Sequence, residues 1–381
     1  MKVLWVNPSF LDYRVPFYKA LNELCGGNFH LVYSKERVPD RCIGKIEVAL
    51  GENAHGLENE SCLKIGGNEG DFSCKGVSIP FPVGLSKLLK SIEADVIIAE
   101  GFFQWTPWAM LRALRLKIPF LIAYERTVHT ERYCPWWRLA YRKIVNHFVK
   151  GYLVNGSLCR DYLESTMSMK DKVIQEGVMA ADSESLSLRV SSLHSLNQDS
   201  EVEISKGLTF VYVGQLIERK GIRFLLQGWE SHVRFFKDDV LLIVGQGVLQ
   251  KELIEKSPCN VCFVGAVDYD LIHQYYAKAD VFVIPTLEDN WSLVVPEAMS
   301  CGLPVACSCY NGCHPELIKE GVNGMVFDPL KQDSIVSALA YFHQADLKMM
   351  GVKSREIERE YSPEKCAERA YRGILKSLVK D

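Results

Sequence analysis

The chain has 381 residues, a formal net charge of −3 and 13 cysteines. Its length exceeds what one hydrophobic core sustains, so two α/β domains are expected, and the near-neutral balance excludes a nucleic-acid binder that relies on a global positive field. An odd number of cysteines scattered through apolar runs excludes a secreted disulfide framework, and no run reaches the roughly 18 apolar residues of a membrane span; the expectation is a cytoplasmic chain with reduced thiols.

From the N-terminus, residues 3–6 read as a buried strand ended by Asn7-Pro8-Ser9, and 15–24 as a helix closed by Gly26-Gly27. No G-x-G-x-x-G accompanies them, so the dinucleotide fingerprint is missing. Residues 31–33 are the next strand, and 42–76, polar, Gly-rich and aperiodic, read as irregular or hairpin structure. A helix at 85–92, a strand at 96–99, a helix at 105–116 and a strand at 120–123 follow. This alternation predicts a parallel sheet with ligands at the carboxyl ends of its strands.

At one such end stands YERTVHTER, residues 124–132, which places Glu125, Arg126, His129, Glu131 and Arg132 where ligands bind. In 135–150 the apolar residues Trp136, Ala140, Ile144 and Phe148 form one helical stripe, read as a core-facing helix with Arg138, Arg142, Lys143 and Lys150 elsewhere on its surface. A basic aromatic helix lying on an anionic membrane is the alternative. Strands at 152–154 and from 172 close this half, and 181–206, serine-rich and without a sustained period, read as a linker in which no helix persists.

The second half opens with a strand at 208–213, a turn at Gly214-Gln215, and two adjacent cations, Arg219 and Lys220, before a helix starting near Gly221. Fixed cations at a strand-to-helix turn suit a diphosphate. A strand at 241–244 leads to Gly245-Gln246-Gly247, and Asp268-Tyr269-Asp270 reads as a helix cap rather than a metal pair. Residues 281–284 are a strand buried on both faces, stopped by Pro285-Thr286; Pro296 fits the first position of a helix at 297–301, and a further strand spans 304–307. The amides of 291–295 then gather at a helix start that favours an anion, flanked by Asp289 and Glu297, whose carboxylates accept hydrogen bonds from sugar hydroxyls. A ligand with both a phosphate and polyol rings is a nucleotide sugar. Cys301, Cys307, Cys309, Cys313 and His314 lack paired C-x-x-C knuckles, so no metal site is expected. Ser362-Pro363-Glu364 caps a terminal helix.

The stretch ADVFVIPTLEDNWSLVVPEAMSCGLPVAC, residues 279–307, resembles the donor-site signature of family 4 glycosyltransferases, which has two glutamates in a pattern like EGFGLVLLEAMACGLPV. Asp289 and Glu297 occupy the two positions, with Asn290 and Ser292 where glycines are usual. GQLIERKG is similar to the family's diphosphate motif G-R-L-x-x-x-K-G: Lys220 matches its lysine and Gln215 stands at its arginine. YERTVHTER resembles a subgroup tied to cell-surface polysaccharide synthesis.

The resemblance implies an α/β fold of two Rossmann-like domains facing a central cleft, the GT-B fold. The expected boundaries are 1–180 for the acceptor domain, 181–206 for the linker, 207–360 for the nucleotide-sugar domain and 361–381 for a terminal helix crossing back. The implied reaction is retaining transfer of a hexosyl or N-acetylhexosaminyl group from a nucleotide diphosphate sugar, a UDP-sugar favoured, to a hydroxyl acceptor. Lys220 and Arg219 would neutralise the leaving group, and Glu125 or His129 would face the reacting sugar. Gly214, Gln215, Gly245, Gly247, Asp289, Asn290, Ser292, Leu293, Val294 and Glu297 would bind the donor. The implied partners are the nucleotide sugar and a saccharide or lipid-linked acceptor, with peripheral contact at the inner face of a membrane left open, and with neither metal, cofactor nor nucleic acid. A non-catalytic nucleotide-sugar-binding homologue and a nucleotide-sugar 2-epimerase of the same fold are the alternatives.

Overall fold

Short apolar runs between turn residues alternate with helices along the chain. In order, they give β1 (Val3–Val6), α1 (Arg14–Leu24), β2 (Phe29–Ser34), α2 (Asp40–Leu50), β3 (Ala54–Leu57), β4 (Glu60–Ile65), β5 (Val77–Pro82), α3 (Leu85–Ser91), β6 (Val96–Glu100), α4 (Thr106–Leu116), β7 (Phe120–Tyr124), α5 (Trp136–Asn146), β8 (Gly151–Val154), α6 (Ser157–Asp161) and β9 (Val173–Glu176). There follow α7 (Glu184–Leu196), β10 (Thr209–Val213), α8 (Ile222–His232), β11 (Val240–Val244), α9 (Gln250–Lys256), β12 (Val261–Gly265), α10 (His273–Tyr276), β13 (Val281–Ile284), α11 (Val294–Ser300), β14 (Val305–Ser308), α12 (His314–Leu317), β15 (Gly324–Phe327), α13 (Gln332–Tyr341), α14 (Leu347–Arg359) and α15 (Pro363–Leu378). The computed structural model describes residues 1–66, 72, 76–169, 172–180, 184–196 and 207–379. One unit takes in residues 1–66, 76–180 and 361–379, the other 184–196 and 207–360.

Each unit is built on a parallel sheet. The first has the strand order β3-β2-β1-β6-β7-β8-β9, the second β12-β11-β10-β13-β14-β15. Helices cover both faces, which is why β1, β7, β8, β13 and β14 are buried along their whole length and read as unbroken apolar runs. In both sheets the winding reverses beside the first strand, between β1 and β6 and between β10 and β13. A crevice opens at the carboxyl ends of the strands at such a reversal.

Several elements depart from the sequence reading. The stretch 42–76, read as irregular or hairpin structure, does hold a hairpin, β4 pairing antiparallel with β5, but it opens within a helix that the reading missed: α2 buries Cys42, Ile46 and Leu50 at a four-residue spacing. Within the expected linker, α7 is a helix of the second unit whose Leu186 and Val190 are buried, two apolar residues one turn apart being enough once α10 and α11 lie against them. The rest of that linker, 181–183 and 197–206, lies outside the described residues. α11 starts at Val294, so Pro296 is its third residue rather than its first; the first turn has no intrahelical amide partners, and the missing N–H costs nothing there.

The largest reversal is α5. The stripe read as core-facing is the outer one: Trp136, Ala140, Ile144 and Phe148 are exposed, and Arg142 and Val145 are buried. The cause is Arg142. Its Nη1 reaches the Glu131 carboxylate at 2.7 Å and the Tyr162 hydroxyl at 2.9 Å, and its guanidinium lies over the rings of Phe102, Phe103 and Tyr124. A buried cation must keep such partners, so this pairing sets the rotation of the helix.

α15 belongs to the first unit. Ser362 Oγ accepts from Lys365 N at 3.4 Å at its start, and Cys366, Ala367, Ala370 and Ile374 join the core formed with Trp5, Tyr18 and Leu21.

Candidate functional site

In the second unit the expected donor residues follow the carboxyl ends of three neighbouring strands, β11, β10 and β13, on their loops and on the start of α11. The loops after β10 and β11 are drawn together by glycines. Gly245, at φ +138°, is so near that a Cβ would stand 1.9 Å from Gly214 O, and one on Gly247 would stand 2.4 Å from Leu216 O. Gly214 N donates to Val244 O at 3.0 Å, and Leu216 N donates to Gln246 O at 3.0 Å. Gln215 is exposed, and its carbonyl accepts from the Tyr212 hydroxyl at 2.9 Å.

The loops after β10 and β13 meet through Arg219 and Lys220. Arg219 O accepts from Leu287 N at 2.8 Å, Glu288 N at 3.2 Å and Thr286 Oγ1 at 3.1 Å. Gly221 permits this approach: it sits at φ +69°, and a Cβ there would be 2.0 Å from Pro285 O. Lys220 Nζ forms a short ion pair with the Asp289 carboxylate across the β10/β13 reversal. Burial works to raise the Asp289 carboxyl, but the Lys220 ammonium outweighs it, helped by Ser292 and Arg219, and the group titrates below the ordinary carboxylate range.

Asp289 also organises its own turn. Its Oδ1 accepts from Trp291 N at 3.1 Å, its carbonyl accepts from Gly312 N at 2.9 Å, and Asn311 Oδ1 accepts from Ser292 N at 3.3 Å. With Val295 N donating to Ser292 O, three of the five amides expected to receive an anion are already engaged. A glycine is required at 312, where a Cβ would be 1.9 Å from Asn290 O. Asn311 is fully buried, and its Nδ2 has no hydrogen-bond partner among the described residues. Leu293 and Val294 lead into α11, and Glu297 on its first turn is buried with Oε2 3.4 Å from the Tyr276 hydroxyl, which burial and then Glu297 push far above the usual phenol range.

The first unit repeats the arrangement at its own reversal. Buried Arg14, after β1, and half-buried Glu100, at the end of β6, form an ion pair at 3.0 Å, with Trp5 Nε1 also donating to Glu100 at 3.1 Å. Burial raises the Glu100 carboxyl more than Arg14 lowers it. Arg14 and Glu100, with Tyr13, Tyr124, Glu125 and Arg126, line a cavity of about 290 Å³. Arg14 Nη1 and the Tyr124 hydroxyl are buried without hydrogen-bond partners among the described residues. Glu125 lines this cavity; His129, half-buried in a turn where Thr127 N donates to Thr130 Oγ1 at 2.9 Å, does not. The sequence reading missed Arg14 and Glu100. Glu100 carried the same signal as Glu125, an acid directly after a buried strand, whereas Arg14 had none.

Among the described residues, one group could hold a metal by proximity: His232, Asp239 and His343. Both Nε2 atoms meet Asp239 Oδ2, at 2.7 and 2.8 Å, and Leu208 N donates to Oδ1 at 2.8 Å. The carboxylate is thereby satisfied without an ion. The group sits at the amino ends of β10 and β11, opposite the loops carrying Lys220 and Asp289.

Residues 207–344 match the family described as glycosyl transferases group 1. That match falls within the second unit. Over 305 residues the chain is 26% identical to a sulfoquinovosyl transferase of Arabidopsis thaliana, covering 74% of this chain and 58% of that protein. Over 152 residues it is 31% identical to O-antigen chain mannosyltransferase B of Escherichia coli, covering 36% of this chain and 37% of that one. The matches therefore span less than two thirds of these curated relatives. Anabaena HepE, solved in complex with UDP, superposes over 99% of this chain and 100% of its own with a TM-score of 0.72 at 13% identity. That likeness shows the fold: two Rossmann-like α/β domains, the GT-B architecture. The group 1 match covers the loops that carry Lys220 and Asp289 and the helix α11 that carries Glu297.

Proposed function

We propose that this chain transfers a glycosyl group from a nucleoside diphosphate sugar to a hydroxyl on a saccharide or lipid-linked saccharide, with retention of anomeric configuration. The observation that carries the reading is the Lys220–Asp289 pair at the β10/β13 reversal, inside the group 1 match. HepE, of the same fold, has been solved with UDP. The bond between the anomeric carbon and the β-phosphate oxygen breaks with its electrons passing to the diphosphate, while the acceptor oxygen bonds to the same carbon and gives up its proton to the departing diphosphate oxygen. Lys220, already oriented by Asp289, and Arg219 neutralise the departing charge without needing to reorganise. Glu297 accepts from ribose hydroxyls and Asp289 from those of the donor sugar. In the first unit the cavity beside Arg14 and Glu100, with its buried unpaired donors, receives the acceptor, and Glu125 rather than His129 lies against it.

The test is a thermal-shift panel of UDP, GDP, ADP and CDP, with and without EDTA, on the wild type, Lys220→Ala and Glu297→Ala. A ligand specific to the folded state stabilises by about 2.7 kcal/mol at a hundredfold excess over its dissociation constant. One diphosphate should stabilise the wild type regardless of EDTA, and both variants should lose most of the shift. No shift with any of the four would overturn the donor site. A shift without sugar transfer would favour the binding-only alternative, in which Gln215 at the missing cation position leaves the leaving group underneutralised.

A further inference from the structure

We propose that the first unit docks on an anionic lipid surface through two apolar faces that meet at Arg138, one on α5 and one on the β4–β5 hairpin. The inference does not rest on the transferase reading.

On α5 the outward face carries Trp136, 79% exposed, and Ile144, 61% exposed, with Tyr133, 63% exposed, just before the helix and Phe148 just after it. Lys143 lies among them. Residues 132–150 contain Arg132, Arg138, Arg142, Lys143 and Lys150 and no acidic residue. Burial of Arg142 against Glu131 holds this face outward.

The hairpin is built the same way. Its register sets Leu63 opposite Ile79, Ile65 opposite Val77 and Ser61 opposite Phe81, so a period of two gathers Leu63, Ile65, Val77, Ile79 and Phe81 on one face. Leu63, Ile65 and Phe81 are each at least half exposed. The other face carries Glu60, whose carboxylate is buried and held by Arg37 at 2.7 Å and by Trp105 Nε1 at 2.8 Å. The hairpin is thus anchored at Glu60, and its apolar face is open to solvent. Arg138 on α5 donates to Gly76 O at the start of β5, joining the two elements.

Exposed apolar area on this scale marks a contact surface, and its chemistry selects the partner. Trp and Tyr are amphipathic rings suited to the headgroup level, and basic residues around an apolar face are drawn to anionic headgroups. A second copy of the chain would bring the exposed Lys143 of each copy toward the other, which disfavours self-association through α5.

The experiment is co-sedimentation of the full chain with phosphatidylcholine vesicles, with and without phosphatidylglycerol. Binding is expected only with the anionic lipid, and added salt should weaken it. Lys143→Glu should lower the partition coefficient by roughly tenfold. Two apolar-to-serine pairs, Trp136→Ser with Ile144→Ser and Leu63→Ser with Ile79→Ser, should each reduce binding while leaving the far-UV melting curve in place, since all four side chains are exposed. Failure to bind anionic vesicles, or wild-type binding by all three variants, would overturn the proposal. So would a dimer in sedimentation equilibrium that the Trp136→Ser pair dissociates, which would assign the face to a second copy.

Discussion

Asp289 does two jobs with one carboxylate: it holds Lys220 in the β10/β13 crevice and caps the turn through Trp291 N. Its lowered titration has a thermodynamic sign. A carboxyl held below its unfolded value contributes stability that is fully present above that value and is lost as pH falls through the folded one. The second unit should therefore lose stability below about pH 4, near the ordinary aspartate value. Asp289→Asn removes that contribution and should flatten the acid limb by up to about 1.4 kcal/mol per pH unit, the slope of one proton. Urea titrations of wild type and variant between neutral and acid pH measure it; parallel acid limbs would mean that Asp289 is not held low. Asp239, also depressed despite burial because His232, Leu208 N and His343 bond it, keeps part of the acid slope in the variant. At this scale the sequence was informative about which residues sit at strand ends, because a carboxylate or cation directly after a buried apolar run has few other places to go. It was silent on pairing: Lys220 and Asp289 are 69 positions apart, and Arg14 and Glu100 are 86 apart.

Among the elements, the loops are held by backbone contact as much as by side chains. Gly312 lets the loop after β14 lie against that after β13, with Gly312 N donating to Asp289 O and no room for a Cβ beside Asn290 O. Gly312→Ala should destabilise the chain by about 1–3 kcal/mol, as overpacking does, and should weaken nucleoside diphosphate binding by displacing the turn at Asp289. Gly44→Ala is the control. Gly44 sits in α2 with nothing within 4 Å of a Cβ, so the change should be neutral or stabilising by up to about 1 kcal/mol. Chemical denaturation midpoints decide, and equal effects at the two sites would remove the close-approach account. The helix that misled the sequence reading, α5, shows the limit of periodicity. Its apolar stripe is real, but a stripe says only that one face is apolar, and the buried Glu131–Arg142 pair turned that face outward.

For the molecule as a whole, the chain leaves the first unit before α7 and returns to it at Tyr361, so its last helix completes a core that begins at Val3. Ile374 is fully buried there, and Gly373 lies where a Cβ would be 2.6 Å from the Leu153 side chain. Ile374→Ala should cost the first unit about 2–5 kcal/mol, the range for emptying a buried aliphatic site. Native-state hydrogen exchange should show faster opening of β1 and β9, with β10 to β14 unchanged. Equal loss of protection in both sheets would mean that the units unfold as one.

Composition, apolar run length and turn residues were enough to read two α/β units and nearly every central strand, since a strand buried on both faces must be continuously apolar and must end at residues that cannot continue it. The loops after β10, β11 and β13 were legible as loops for the same reason: their glycines and charges fall directly after buried apolar runs. Side-chain partners, the rotation of α5, the helix α7 inside the expected linker and the outward apolar face of the hairpin were not. Each depends on which distant groups are available to bury a charge or cover a face, and that depends on how the sheets bring separated segments together.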